Sequence, residues 1–171
     1  MRSGDGSISL ERIDGRIEVN TGDGRLSGED IRGTLRAHTG DGTIRFLDIQ
    51  GEVDIDTGDG GGELAGKLAS VRLRTGDGTV RVRAEDGSAM TDDWEIRTGD
   101  GGVRLELPEG FAANLDASTG DGRVSVEGFG EPGSAGHDDE ESRAAIKRPL
   151  GSGGKLLRLR TGSGSINVRK L

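Results

Sequence analysis

Seven aspartates, Asp5, Asp23, Asp41, Asp59, Asp77, Asp100 and Asp121, each stand between two glycines in one recurring phrase, Thr-Gly-Asp-Gly, or Ser-Gly-Asp-Gly at the first copy. Carboxylates repeated in glycine-rich turns are what a hard cation such as Ca²⁺ takes as ligands, because turns of parallel β-helices can present side-chain and main-chain oxygens together. A Ca²⁺ ladder would then comprise Asp23, Asp41, Asp59, Asp77, Asp100 and Asp121. The competing reading is a turn device, in which Asp accepts backbone N–H bonds in an Asx-turn and the flanking glycines take positive φ. Two details favour the turn device. The last copy, opening at Thr161, carries Ser163 in place of Asp, which keeps the hydrogen bond but is a poor ligand. Calcium repeats of the Gly-Gly-x-Gly-x-Asp type also place their ligands differently. No metal site and no other cofactor is therefore assigned.

Other residues with chemical potential are few. His38 occupies a place filled elsewhere by Asn20, Asp56, Arg74 and Arg160 and reads as exposed; His137 lies in an acidic stretch with Asp138, Asp139 and Glu140. Trp94 falls in a column with Val53, Val71 and Leu115 and reads as core rather than as a sugar platform. There is no Cys, no Gly-x-Ser-x-Gly, no helix-opening Gly-x-Gly-x-x-Gly and no His/carboxylate cluster of metal spacing, so no catalytic residue is assigned. Surface acids are plentiful, and a polysaccharide-acting β-helix would need a pair of them in a cleft with one pKa raised.

What must position these residues is a repeat. The phrase opens at 3, 21, 39, 57 and 75 with a constant spacing of 18, then at 98, 119 and 161. A fixed period of this kind marks a repeat architecture whose units bury their apolar faces against one another. After each turn, apolar residues alternate: Ile8 and Leu10, Leu26 and Gly28, Ile44 and Phe46, Val80 and Val82. A second alternating pair precedes the next turn: Ile17 and Val19, Leu35 and Ala37, Val53 and Ile55, Val71 and Leu73. Period two is a half-buried strand, so each coil reads as two strands and a short third segment separated by turns.

Parallel in-register stacking accounts for the outward residues between the second pairs, which run Glu18, Arg36, Asp54, Arg72, Glu95, Asp116, Arg158. The charge alternates at every step except Glu95 to Asp116, as column neighbours require. Phe46 beside Gly28 fills the space left by a missing side chain. The coil from 57 to 74 fits the pattern least well, since Gly61 and Gly62 replace its first inward residue. The long interval after Val126 predicts a loop at about 128–142, with a return strand near 145–149 preferred over a helix spanning 138–148. The last coil, ending in Arg169 and Lys170, is expected at the end of the stack, where its charges would oppose end-to-end association.

The expected fold is thus all-β: a single domain over 1–171, a right-handed, single-stranded parallel β-helix (β-solenoid) of about 18 residues per coil and seven to eight coils. The 33 glycines are in register with the apolar alternation and read as turns, and the net charge of −8 argues against a nucleic-acid or anionic-membrane partner. The pattern begins in mid-repeat, which predicts that a natural N-terminal part precedes Met1 and that the exposed terminal coil offers a surface to a second copy.

The repeated Thr-Gly-Asp-Gly-x-apolar-x-apolar phrase, with its closing Gly-Gly-Lys-Leu-Leu-Arg-Leu-Arg-Thr-Gly-Ser-Gly-Ser-Ile-Asn-Val at 153–168, resembles a bacterial family of domains of unknown function labelled as adhesins. The resemblance covers nearly the whole chain. It implies a right-handed β-helix in a cell-envelope, extracytoplasmic protein, a protein or cell-surface component as partner, and no catalytic residues. A non-catalytic interaction or structural module is the expected function; a Ca²⁺-stabilised binding solenoid and a polysaccharide-acting enzyme are the alternatives.

The register can be tested directly. Ile44→Asp, at an inward position, is expected to unfold several coils, whereas Arg45→Asp next to it should change stability little. Comparable melting temperatures for the two variants would refute the assignment of faces.

Overall fold

The computed structural model describes residues 2–4, 6–129 and 144–171. Asp5, His137 and most of the loop expected at 128–142 lie outside them. In chain order the strands are β1 (Arg2–Ser3), β2 (Ile8–Thr21), β3 (Leu26–Thr39), β4 (Ile44–Thr57), β5 (Gly62–Thr75), β6 (Val80–Ala84), β7 (Trp94–Thr98), β8 (Val103–Leu107), β9 (Ala113–Asp121), β10 (Val124–Glu127), β11 (Ala145–Leu150), β12 (Leu156–Ser163) and β13 (Ile166–Lys170). All belong to one sheet, and the described residues contain no helix, hence none long and apolar enough to cross a membrane. The architecture is all-β and solenoid-like.

Each regular coil is one continuous strand of 14 residues rather than strands parted by turns. The corners are made inside the strand. Arg12, Asp30 and Asp48 take φ near +50°, and Gly15, Gly33 and Gly51 take φ of 124°, 119° and 135°. Pairing survives the corner because the next coil bends at the same place, so that Gly15, Gly33 and Gly51 are themselves register partners. At Gly33 and Gly51 glycine is required twice over: φ lies where side chains are strained, and a Cβ would overlap the carbonyl of the preceding coil's glycine.

Inward residues form columns of buried aliphatic side chains, including Leu26, Ile31, Leu35, Ile44, Ile49 and Ile55. Gly28 pairs with Phe46, whose ring fills the place a Gly28 Cβ would take. The coil carrying Gly61 and Gly62 departs from the rest: the β4–β5 ladder shifts register between Phe46 and Ile49 and again between Gly51 and Glu52. Trp94 is fully buried, its Nε1–H donating to the Ala69 carbonyl at 3.2 Å and its ring 5.3 Å from that of Phe111.

The order of the last coils differs from the order of the sequence. Strand β12 lies between β7 and β9, and β13 lies between β8 and β10, all parallel. The coil expected at the end of the stack is therefore inside it. Electrostatics gives the reason. Arg158 stands between Glu95 and Asp116, removing the one like-charge step that sequential stacking would create. Arg169, expected to guard an end, lies in register between Glu106 and Glu127 and meets Glu106 at 2.7 Å. Packing agrees, with Leu157 seated between Trp94 and Leu115. The return strand forms as β11, antiparallel to β9, with Pro149 opposite Asn114; it covers that edge, as a proline-bearing edge strand should.

Because β7 and β9 meet only through β12, the coil at 113–127 depends on residues that follow it in the chain. Deleting 155–171 is expected to strip hydrogen-exchange protection from 113–127 while leaving β2 to β4 protected. Unchanged protection at 113–127 would show that those strands do not need the inserted coil.

Candidate functional site

The turns stack as closely as the strands. A Cβ on Gly24, Gly42, Gly60, Gly78 or Gly101 would overlap the carbonyl of the equivalent glycine one coil earlier. Close approach, not positive φ, is what these glycines supply. Among the glycines of the repeated phrase only Gly164 has positive φ, which corrects the expectation drawn from turn chemistry. The threonine that opens each phrase is buried: Thr21, Thr39, Thr57, Thr75, Thr98, Thr119 and Thr161 are at most 7% exposed. Their hydroxyls donate to carbonyls of the neighbouring turn, as from Thr39 to Gly22 at 3.0 Å, Thr75 to Gly60 at 2.8 Å and Thr161 to Gly101 at 2.7 Å. The Gly22 carbonyl also accepts the Gly40 N–H, whereas at the Gly60 and Gly101 carbonyls the hydroxyl takes the place of water. The role was missed in the sequence, where attention fell on Asp. The signal was present in the constancy of a β-branched hydroxyl at an inward step of the alternation.

Asp23, Asp41, Asp59, Asp77, Asp100 and Asp121 are exposed on the outside of the turns. They form a column, with Oδ1 of Asp23, Asp41, Asp59 and Asp77 lying 3.0, 3.1, 2.8 and 3.3 Å from where a Cβ on the next turn's first glycine would sit. Among the described residues their carboxylates make no hydrogen bond, so the Asx-turn bond is not formed, and no three acidic or histidine side chains gather where they could hold a metal. Ser163 pairs in register with Asp121, and because β12 lies between β7 and β9 it separates Asp121 from Asp100. His38 is exposed, pairing in register with Asn20 and Asp56.

On one outward face the charges run Glu18, Arg36, Asp54, Arg72, Glu95, Arg158, Asp116, Lys147 without a repeat of sign. Glu95 is the most heavily engaged, with Arg97 at 2.6 Å, Arg74 at 3.3 Å and Arg158 at 3.9 Å, its side chain 19% exposed. Partial burial raises its pKa. The hydrogen bond from Arg74 and the charges of Arg97 and Arg74 outweigh that and hold the carboxyl below its ordinary value.

The opposite outward face carries Ser27, Arg45, Glu63, Arg81 and Arg104 in one column. Arg45 and Glu63 pair at 3.2 Å. Arg81 and Arg104 are direct register neighbours of like charge; Arg81 has Glu63 on its other side in the ladder, but among the described residues neither arginine forms an ion pair. They line an open groove of about 480 Å³ that also includes Arg83, Glu63 and Glu106. A second depression, about 690 Å³, lies over Gly61 and Gly62 between Arg25, Arg45 and Arg81.

Fold and surface together define a solenoid-like β protein whose turns are joined by threonine hydroxyls and whose faces carry charge ladders. The chain belongs to the Toastrack family, DUF4097, a domain of unknown function, whose model matches residues 1–169. No curated protein and no solved structure matches it.

A carboxylate whose pKa is lowered on folding stabilises the fold above its ordinary pKa and loses that contribution as pH falls through the folded value. Glu95→Gln is thus expected to cost roughly 1 kcal/mol at neutral pH, the scale of a networked surface pair. Denaturant unfolding across a pH series should show the difference from the parent shrinking below pH 4.5, the ordinary value for Glu. A pH-independent difference would mean that Glu95 acts through packing rather than charge.

Proposed function

We propose that this chain is a non-catalytic, adhesin-like interaction module of a bacterial cell-envelope protein, a right-handed, single-stranded parallel β-solenoid of seven to eight coils. Eight copies of the repeated phrase support the coil count, and the prevailing hand of parallel crossovers supports the right-handed sense. The partner is a protein or cell-surface component bearing negative charge, docking on the face with Arg45, Arg81 and Arg104. The observation that carries this reading is the in-register pair Arg81 and Arg104. Like charges directly opposite destabilise a ladder; on the other face the like-charge neighbours Arg74, Arg97 and Arg160 are each tied to Glu95 or Asp116, whereas Arg81 and Arg104 form no ion pair among the described residues, a cost that an anionic partner would offset.

The experiment is binding of the labelled chain to isolated bacterial envelope fractions. Reversing both charges, Arg81→Glu with Arg104→Glu, is expected to weaken binding at least about tenfold, the scale of 1.4 kcal/mol. Arg36→Glu on the opposite face should leave it unchanged. Equal loss in both variants, or none in either, would overturn the assignment of the face.

The stacking of the Asp23 to Asp77 carboxylates coil upon coil favours one second reading, a calcium-stabilised solenoid. Thermal melts in EDTA and then in excess Ca²⁺ separate the two. A stabilisation of about 2.7 kcal/mol is expected at ~100 times the dissociation constant if the column binds the ion, and no shift if it does not.

A further inference from the structure

A row of residues immediately precedes β3 to β6 on the face that carries Arg45. Arg25, Thr43, Gly61 and Thr79 are joined through the backbone, Leu26 N–H donating to the Thr43 carbonyl at 3.0 Å, Ile44 N–H to that of Gly61 at 3.0 Å and Gly62 N–H to that of Thr79 at 3.1 Å. At Gly61 the row loses its side chain, and the depression of about 690 Å³ lies there, a volume that suits a small ligand. Gly62 adds a second signal. Its register partners Ile44 and Val80 are buried aliphatics, yet a Cβ on Gly62 would meet only Leu73 at 3.7 Å, an ordinary contact, and its φ is not positive. The register shifts of the β4–β5 ladder lie farther along, beyond Phe46. Neither packing, backbone nor bulge calls for glycine here, and a strand glycine is also used where a ligand comes close to the backbone.

Around this bare floor stand arginines and hydroxyls. Arg25 and Arg81 flank it from strands three steps apart, about 14 Å at the ladder spacing, a gap that two extended arginines close with an anion between them. Among the described residues neither forms an ion pair, and the hydroxyls of Thr43 and Thr79 make no hydrogen bond. Arg45 is neutralised by Glu63 at 3.2 Å, the one acid among the described residues that line the depression. Two arginine charges and two hydroxyls are thus left without partners.

We propose that this depression binds the phosphate monoester of a saccharide, with Arg25 and Arg81 on the phosphate and Thr43 and Thr79 on hydroxyls of the sugar. The ligand lies within the docking face proposed above, and its assignment rests on that reading. Charge selects the anion. A phosphate monoester carries about −1.5 to −2 at neutral pH, which matches two arginines, whereas a carboxylate or a sulfate ester carries a single charge. Shape agrees, because a tetrahedral phosphate offers oxygens to guanidinium forks arriving from opposite sides, while one fork satisfies both oxygens of a carboxylate. The sugar follows from the hydroxyls and the floor. A ring can lie against the backbone of Gly61 and Gly62 and exchange hydrogen bonds with Thr43 and Thr79, each hydroxyl being both donor and acceptor.

Calorimetric titration with glucose phosphorylated on its primary hydroxyl tests this, beside glucose, its sulfate ester and inorganic phosphate, with circular-dichroism melts to show that each variant folds. The sugar phosphate should bind most tightly of the four, and glucose not detectably. Arg25→Gln should weaken the sugar phosphate at least about tenfold, the scale of one lost charge-assisted hydrogen bond. Thr43→Val should weaken the sugar phosphate and leave inorganic phosphate unchanged, and Arg36→Gln on the opposite face should change neither. No binding of the sugar phosphate, equal binding of the sulfate ester or of inorganic phosphate, or a folded Arg25→Gln chain of parent affinity would each overturn the proposal. Envelope binding by the same variants separates this site from the docking face. Envelope fractions that bind through Arg81 and Arg104, with no binding of the sugar phosphate, would leave the docking face standing and remove the phosphate site. A sugar phosphate held through Arg25, with no binding of envelope fractions, would keep the site and remove the docking role.

Discussion

The constraint on which the rest of this structure depends is the distance between successive turns. Stacked strands lie about 4.8 Å apart, and a turn can keep that spacing only if its backbone rests on the backbone below. Glycine at Gly42, Gly60 and Gly78 removes the Cβ that would overlap the carbonyl beneath. The buried threonine hydroxyl then satisfies the carbonyls that the close contact shields from water. With turns locked at the strand spacing, one register extends around the whole coil, including corners where Gly33 and Gly51 bend without breaking the ladder.

Once register is fixed, every outward side chain has an assigned neighbour above and below, and charge becomes a means of choosing that neighbour. Arg158 between Glu95 and Asp116 and Arg169 between Glu106 and Glu127 place the final coil inside the stack. Individual exposed pairs of this kind contribute little. Their force lies in the alternative they exclude, since sequential stacking would set Glu95 against Asp116 at ladder distance. The same rule makes an exception informative: Arg81 and Arg104 are like charges side by side in the ladder, and among the described residues neither forms an ion pair.

The residues that looked most chemical in the sequence are not the ones most deeply engaged in the structure. The aspartates from Asp23 to Asp121 in the repeated phrase stand in solvent, and the threonines beside them are buried and bonded. Composition draws attention to carboxylates because they ligate and titrate, whereas a hydroxyl's importance depends on burial, which one turn taken alone does not reveal. Glu95 likewise looked like one more surface acid until three arginines from successive strands were placed around it.

The sequence by itself determined the coil. A period of 18, alternating apolar residues and glycine-bounded turns leave one way to bury the aliphatic columns, and the facing of Ile44, Phe46 and Trp94 toward the core follows from that alternation alone. Even the like-charge step from Glu95 to Asp116 was legible there as an anomaly. Only the tertiary structure decided where the last coil goes, that β11 runs antiparallel to β9, and which charges have no partner. The physical reason is locality. Strand periodicity is written within a few residues, but the choice between neighbouring coils is a comparison of contacts between residues as far apart as Asp116 and Arg158, which exists only once the chain has folded.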